Sequence, residues 1–253
     1  MRPGGAWEFR REAAPARQLF VADPLAEPVL RQVTVRTVTG PTVVLGSAQP
    51  DAVVDADAAA AAGISVVRRR SGGGAVWLDP QSVTWLDVTI PAGDPLWDHD
   101  VGRAFWWLGD VWADVLRSLG HADATVHHGP LVTTPWSSLI CFAGLGAGEV
   151  TLPTNHSEAV PGKVVGISQR RTRGGALFQC GVLHAWDPGP LLAGLSLPDD
   201  DRTRARAELA NAGATVPQHN VVERLLTALD RLCCGSRLLP PRPKSPPTAR
   251  EVG

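Results

Sequence analysis

From Gln32 to Leu45 the apolar residues first alternate, at Val33 and Val35, and then run together at Val43, Val44 and Leu45. Alternation marks a half-buried strand and a continuous run a fully buried one, so two strands are predicted around the Gly40-Pro41 turn. The alanine-rich stretch from Asp55 to Gly63 predicts a short helix closing at its glycine, followed by a strand over Ile64 to Val67. Val83 to Ile90 alternates again, as a strand does. Between Asp98 and Gly120 the period changes, and Val101, Phe105, Leu108, Trp112, Val115 and Leu116 fall along one helical stripe. A loop through His127, His128, Gly129 and Pro130 leads into strand-like segments at Leu139 to Phe142, Glu149 to Leu152, Lys163 to Ser168 and Ala176 to Leu183. Helices are predicted at Pro190 to Leu195, Arg202 to Ala212 and Val222 to Leu232, and the Pro- and Arg-rich tail from Leu239 onward is expected to be disordered.

Composition narrows the function classes. The chain has 253 residues, 44% hydrophobic and 19% charged, enough for a proper core in one large domain or two small ones. Lys plus Arg number 24 against 25 Asp plus Glu, so the whole molecule has no net attraction for nucleic acid or acidic lipid, and neither is expected as a partner. No apolar run reaches the roughly 20 residues of a membrane helix, and residues 1 to 20 carry Arg and Glu where a signal peptide needs an apolar stretch. A cytoplasmic protein is expected. Cys141, Cys180, Cys233 and Cys234 form no CxxC and no regular framework, which predicts reduced thiols and no metal site. Only Lys163 and Lys244 are lysines, which singles out the one in the chain's interior.

Four places carry candidate chemistry. Arg68-Arg69-Arg70-Ser71-Gly72-Gly73-Gly74-Ala75-Val76 is a strand end that turns through three glycines, and successive amides there suit a phosphate or carboxylate. The same pattern suits an ordinary glycine turn with solvated arginines, and spacing alone does not choose. It is neither a dinucleotide fingerprint nor a Walker loop, because GxGxxG and GK[ST] are absent. Lys163 opens a buried strand, where its charge can stabilise a developing oxyanion or stay solvated at an edge. Cys141 runs from an apolar segment into a glycine-rich loop, as a presented nucleophile or as a small core residue. His127 and His128 are adjacent, which is poor metal geometry, and read as loop or edge histidines, one of them a weak candidate base.

The order RRRSGGGAV, then Asp79, then KVVGISQRR, then Gln179-Cys180-Gly181 resembles the lipoate-protein ligase A family with its octanoyltransferases, which lies close to the biotin-protein ligases. Upstream, Val43-Val44-Leu45-Gly46-Ser47-Ala48-Gln49 resembles the family's opening signature, so the likeness runs from Pro41 to Asp187. The resemblance implies an α+β fold: a largely antiparallel mixed sheet flanked by helices, biotin/lipoate ligase-like and class II synthetase-like. It implies one catalytic domain over residues 1–235, with a short helical part over 188–235 and a tail over 236–253. Its activity would be transfer of an octanoyl or lipoyl group to one lysine of an acceptor carrier domain. The donor would be an octanoyl carrier protein or lipoate.

Carried over by motif, Arg69, Ser71, Gly72, Gly73, Gly74 and Ala75 would surround the acyl carbonyl and its activating group. Lys163 would touch that carbonyl, and Gly166, Ser168, Gln179 and Gly181 would complete the binding site. Leu78 stands where the family has the histidine of its His-Asp pair, and Cys180 where it has a histidine beside the acyl tunnel. Cys141-Phe142 followed by Gly148-Glu149 replaces the ligases' Asn-Asp pair and resembles the cysteine-dependent octanoyltransferases, which implies Cys141 as thioester nucleophile with no tightly bound cofactor. The segment after Trp186 is too short for the ligases' accessory domain. The alternatives are an ATP-dependent ligase, using ATP with Mg through an adenylate, and a non-catalytic acyl or carrier-domain binder. A biotin ligase is a weaker rival, since its GRGRxxR-like string is missing.

Overall fold

A computed structural model describes residues 6–154 and 157–233. Its strands are β1 (Glu8–Ala14), β2 (Gln32–Val38), β3 (Thr42–Leu45), β4 (Ser65–Arg68), β5 (Val76–Leu78), β6 (Val83–Pro91), β7 (Thr125–Val126), β8 (Val150–Thr154), β9 (Ser157–Arg171) and β10 (Gly175–Leu183). Its helices are α1 (Ala16–Leu19), α2 (Ala56–Ala61), α3 (Trp106–Ser118), α4 (Gly189–Ala193), α5 (Asp199–Leu209) and α6 (Val221–Cys233). Seven strands form one sheet in the order β1-β2-β6-β10-β9-β8-β7, and a small second sheet has the order β4-β3-β5. In the large sheet only the β1–β2 pairing is parallel; in the small one β3 runs parallel to β4 and antiparallel to β5.

The side-chain alternation of the strands explains the layering. On one face of the large sheet Val33, Leu86, Val88, Phe178, Cys180 and Val182 meet α3 and α6 through Leu108, Trp112, Leu225 and Leu229. On the other face Val38, Val83, Trp85 and Leu183 meet Val44, Val67, Val76 and Leu78 of the small sheet. The far side of the small sheet, with Val43 and Leu45, is covered by Leu191, Leu192 and Leu209 of α4 and α5. The central strand β6 is therefore buried on both faces.

Local rules account for most boundaries. Asp55 caps α2 by accepting the Ala58 N–H at 2.9 Å, and Gly63 leaves the helix at φ 66°. The two strands predicted between Gln32 and Leu45 form, but they diverge into different sheets. The helix expected from Asp98 begins later, at Trp106. Asp100 accepts the Gly102 and Arg103 N–H groups and a 3-10 turn precedes the α-helix, so Val101 lies exposed outside the stripe. Leu139 to Phe142 is not a strand. Ile140 alone bridges to Ala75, and Cys141–Ala143 is a 3-10 turn, because the segment crosses the glycine loop instead of running beside a strand. The charged strand β1, the helix α1 and the two-residue β7 carry no period that a sequence reading detects. The proline- and arginine-rich tail lies outside the described residues. Among the described residues no helix is long and apolar enough to cross a membrane.

Candidate active site

Between the two sheets, the glycine loop that follows β4 meets the segment around Cys141. Ala75 donates its N–H to the Leu139 carbonyl at 2.7 Å and accepts that of Cys141 at 3.0 Å. The approach needs glycine: a Cβ at Gly74 would stand 2.6 to 2.7 Å from backbone atoms of Ile140 and Cys141. Gly73, at φ 96°, would bring a Cβ to 2.9 Å from Arg69 Nη2. Gly72 differs, with open space where a Cβ would stand. Gly74→Ala is accordingly expected to cost about 2 kcal/mol or more in stability by displacing the Cys141 backbone. Gly72→Ala should keep the melting temperature, since its Cβ would stand in open space. Thermal melts on the two variants check the contrast.

The arginines of the loop are all engaged and none is simply solvated. Arg68 bonds the Gly46 carbonyl and Asp51, and Arg70 donates to the Val21 carbonyl. Arg69 is 1% exposed; its terminal nitrogens reach the Gly72 carbonyl at 2.6 Å and the Val44 carbonyl at 3.3 Å, while its buried Nε–H has no partner. Burial pulls its guanidinium below the ordinary value, against the charges of Cys141 and Glu149, which favour the cation.

Ser71 anchors the loop to the large sheet. Its N–H and hydroxyl both donate to Gln179 Oε1, at 3.1 and 2.7 Å, and Ser168 Oγ lies 2.7 Å from Ser71 Oγ. The Gln179 amide donates in turn to Asp87 Oδ1 at 2.9 Å, and Arg36 Nε donates to Asp87 Oδ2 at 2.6 Å. Buried polar groups satisfied in series fix their members' orientation.

Lys163 comes from the middle of β9, not from its start, and is 4% exposed. A bulge aims it: Val150 pairs with Val165 while Thr151 pairs with Lys163, leaving Val164 as the extra residue. Val164 and Val165 both enter the helix-side core, and Lys163 turns to the opposite side. Its ammonium donates to the Cys141 carbonyl at 2.6 Å and to Glu149 Oε2 at 2.9 Å, and lies 5.0 Å from the centre of the Phe142 ring. Glu149 also accepts the Gly146 and Ile167 N–H groups, at 2.6 and 3.1 Å. A small cavity remains, lined by Arg69, Cys141, Phe142, Gly166, Ser168 and Gln179 among others. Cys141 is half-buried on its wall.

The lipoyl protein ligase A/B catalytic domain matches residues 22–219. The chain belongs to this family. Its members are ligases and transferases of protein lipoylation, and the chain is an enzyme of that class. A structure of an archaeal lipoylation system from Thermoplasma acidophilum, a bipartite lipoate protein ligase and its E2 lipoyl domain, is similar with TM-score 0.70 and 19% identity, over 90% of this chain and 84% of that one. A putative lipoate protein ligase from T. acidophilum with bound lipoic acid is similar with TM-score 0.57 and 18% identity, covering 89% and 94% of the two chains. Lipoate-protein ligase A bound with ATP gives TM-score 0.53 and 17% identity, covering 90% and 94%. At these identities the likeness shows a shared fold. No curated protein matches the chain.

Of the residues read from the sequence, Arg69, Cys141, Gly166, Ser168, Gln179 and Gly181 line the cavity, Ser71 and Lys163 bond to its walls, and Gly72, Gly73 and Gly74 form the loop beside it, while Ala75 packs on the far side of the small sheet. Cys180 does not join them. Its side chain is on the opposite face of β10, in the helix-side core near Trp112, and burial pushes its thiol up to about 12. Leu78 fills the core between the sheets. Asp79 caps the turn before β6: burial would raise its pKa, but hydrogen bonds from Ser82, Gln81 and Trp77 outweigh this and lower it. His127 bonds the Pro130 carbonyl and His128 bonds Asp110, both in an exposed loop away from the cavity. Asp87 and Arg36 enter the site without being singled out by the sequence, and Phe142 and Glu149, quoted there only as parts of a motif, enter it with contacts of their own. Glu149 had a signal, as a carboxylate placed before a strand in a chain with one interior lysine.

Proposed function

We propose that this enzyme carries an octanoyl or lipoyl group on Cys141 as a thioester and passes it to one lysine of an acceptor carrier domain. The observation that carries the reading is that the half-buried Cys141 thiol shares its cavity with a cation whose buried N–H has no partner, Arg69 Nε. An orphaned buried donor costs about 1–3 kcal/mol, a cost offset when a ligand oxygen fills the place. Lys163 has three N–H groups, two of them bound to Cys141 O and Glu149, which leaves one for the same oxygen.

Cys141 as thiolate attacks the carbonyl of a donor thioester, and negative charge builds on the carbonyl oxygen between Arg69 and Lys163. The bond to the donor's sulfur breaks, and the donor leaves as a thiolate that takes up the proton Cys141 gave up. The acceptor's neutral lysine amine then attacks the Cys141 thioester, forming the amide, and the amine's proton goes to the departing Cys141 sulfur. A bipartite relative described with an E2 lipoyl domain supports an acceptor of that class. The test supplies an acceptor domain with octanoyl carrier thioester, or separately with lipoate and ATP, and weighs the acceptor. The expected result is one octanoyl mass from the thioester without ATP. Transfer that occurs only with lipoate and ATP would overturn the thioester route in favour of an adenylate.

A further inference from the structure

The buried hydrogen bonds behind the glycine loop run in one direction, and they end in the cavity. Asp87, as a carboxylate, only accepts: Arg36 Nε donates to its Oδ2 at 2.6 Å, and Trp85 Nε1 and the Gln179 amide nitrogen donate to its Oδ1 at 3.2 and 2.9 Å. That carboxylate holds the Gln179 amide one way round, nitrogen toward Asp87 and Oε1 toward Ser71. Ser71 Oγ stands 2.7 Å from Oε1, an approach that two oxygens make only with a proton between them. Oε1 has none to give, so the Ser71 hydroxyl proton is committed to Gln179.

Ser71 Oγ and Ser168 Oγ are also 2.7 Å apart. Ser71 has no second proton, so Ser168 is the donor of that pair, and the Gln179 carbonyl at 3.4 Å is its more distant partner. With its one proton turned to the loop, Ser168 Oγ offers its lone pairs as an acceptor. Ser168 lines the cavity that Cys141 and Arg69 share. Arg69 Nε–H is the complementary group there, a buried donor without a partner among the described residues. The cavity thus sets a donor and an acceptor beside one thiol.

Transfer to an amine uses both. The acyl oxygen gathers negative charge, which the Arg69 donor meets. The attacking amine gains positive charge as its nitrogen bonds to the acyl carbon, and its N–H groups then need an oxygen to receive them. We propose that Ser168 Oγ accepts an N–H of the acceptor lysine's amine and aims the nitrogen at the acyl carbon, while Asp87, Gln179 and Ser71 are positioning residues that keep this oxygen an acceptor. Ser168 takes no proton. The N–C bond forms, the C–S bond to Cys141 breaks, and the amine's proton goes to the departing sulfur. The assignment rests on the acyl-transfer reading and gives the amine its place in it.

The test separates loading from transfer. Wild type and Ser168→Ala are loaded with octanoyl carrier thioester, or separately with lipoate and ATP, freed of excess donor, and mixed with an apo lipoyl domain in a single turnover. Loading involves no amine, so its rate should match wild type, while transfer should slow at least about tenfold, the scale of a lost hydrogen bond to a charged group. Ser71→Ala keeps the Ser168 hydroxyl but releases its proton toward the cavity, and should show the same split. Unchanged transfer in either variant, or loading that falls in step with transfer, would overturn the assignment. Loading as an adenylate, with nothing on Cys141, would overturn the thioester route alone, because the transfer step still reads Ser168. Wild type that neither donor loads would overturn both.

Discussion

Cys141→Ser is expected to lower octanoyl transfer from a carrier thioester on the order of a thousandfold or more, the scale seen when a covalent nucleophile is removed. Serine keeps the shape but holds its proton near neutral pH, so it cannot take over the attack. The change should leave the fold intact, because the loop is clamped through the backbone of residue 141, by the Ala75 carbonyl and by Lys163, and not through the sulfur. Wild type mixed with donor and no acceptor should gain one octanoyl mass that hydroxylamine removes, and peptide mapping should place it on Cys141. Cys180 is the internal control. Buried against Trp112 with its thiol pushed up to about 12, it has almost no thiolate at neutral pH and should stay unmodified. Full activity in the serine variant, with no acylated wild type at any time, would make Cys141 a packing residue.

The sequence exposes the parts of this site that are written as local rules. Three successive glycines after a strand announce a close backbone approach, and Gly74 makes one against Ile140 and Cys141. The alternation of β10 was also legible: with Gln179 and Gly181 on one face, counting by two sends Cys180 to the other, although motif likeness alone puts it by the tunnel. Lys163 shows the limit. Counting by two along Lys163, Val165 and Ile167 assigns the lysine to the helix-side core, and only the bulge at Val164 turns it to the Cys141 carbonyl. A bulge depends on the register with β8, a partner more than ten residues away in the chain, so no local period reports it. The same holds for Cys141, whose apolar neighbours suggest a strand while its segment bridges only through Ile140 to Ala75. Long-range pairs such as Arg36–Asp87 and Lys163–Glu149 follow from sheet order, which the chain's patterning does not specify.

Lys163→Ala is expected to lower acyl transfer about a hundredfold or more, since a preorganised cation beside a developing oxyanion typically contributes that much. The same substitution also strands Glu149, a buried carboxylate that loses its counter-charge and keeps only the Gly146 and Ile167 N–H groups. Breaking a buried pair from one side costs about 3–5 kcal/mol, so lost activity could reflect lost structure. The double variant Lys163→Met with Glu149→Gln separates the two. It removes both charges and keeps their bulk, and replacing a buried pair in this way is often close to neutral for stability. Denaturant unfolding should therefore show the double variant near wild type and Lys163→Ala well below it, while both remain equally poor in transfer. A double variant that regains transfer along with stability would show that Lys163 only holds the Cys141 turn and Glu149 in place. Continued inactivity in a fully stable protein would leave the charge itself as the missing ingredient, acting on the acyl oxygen that Arg69 Nε also faces under the thioester route.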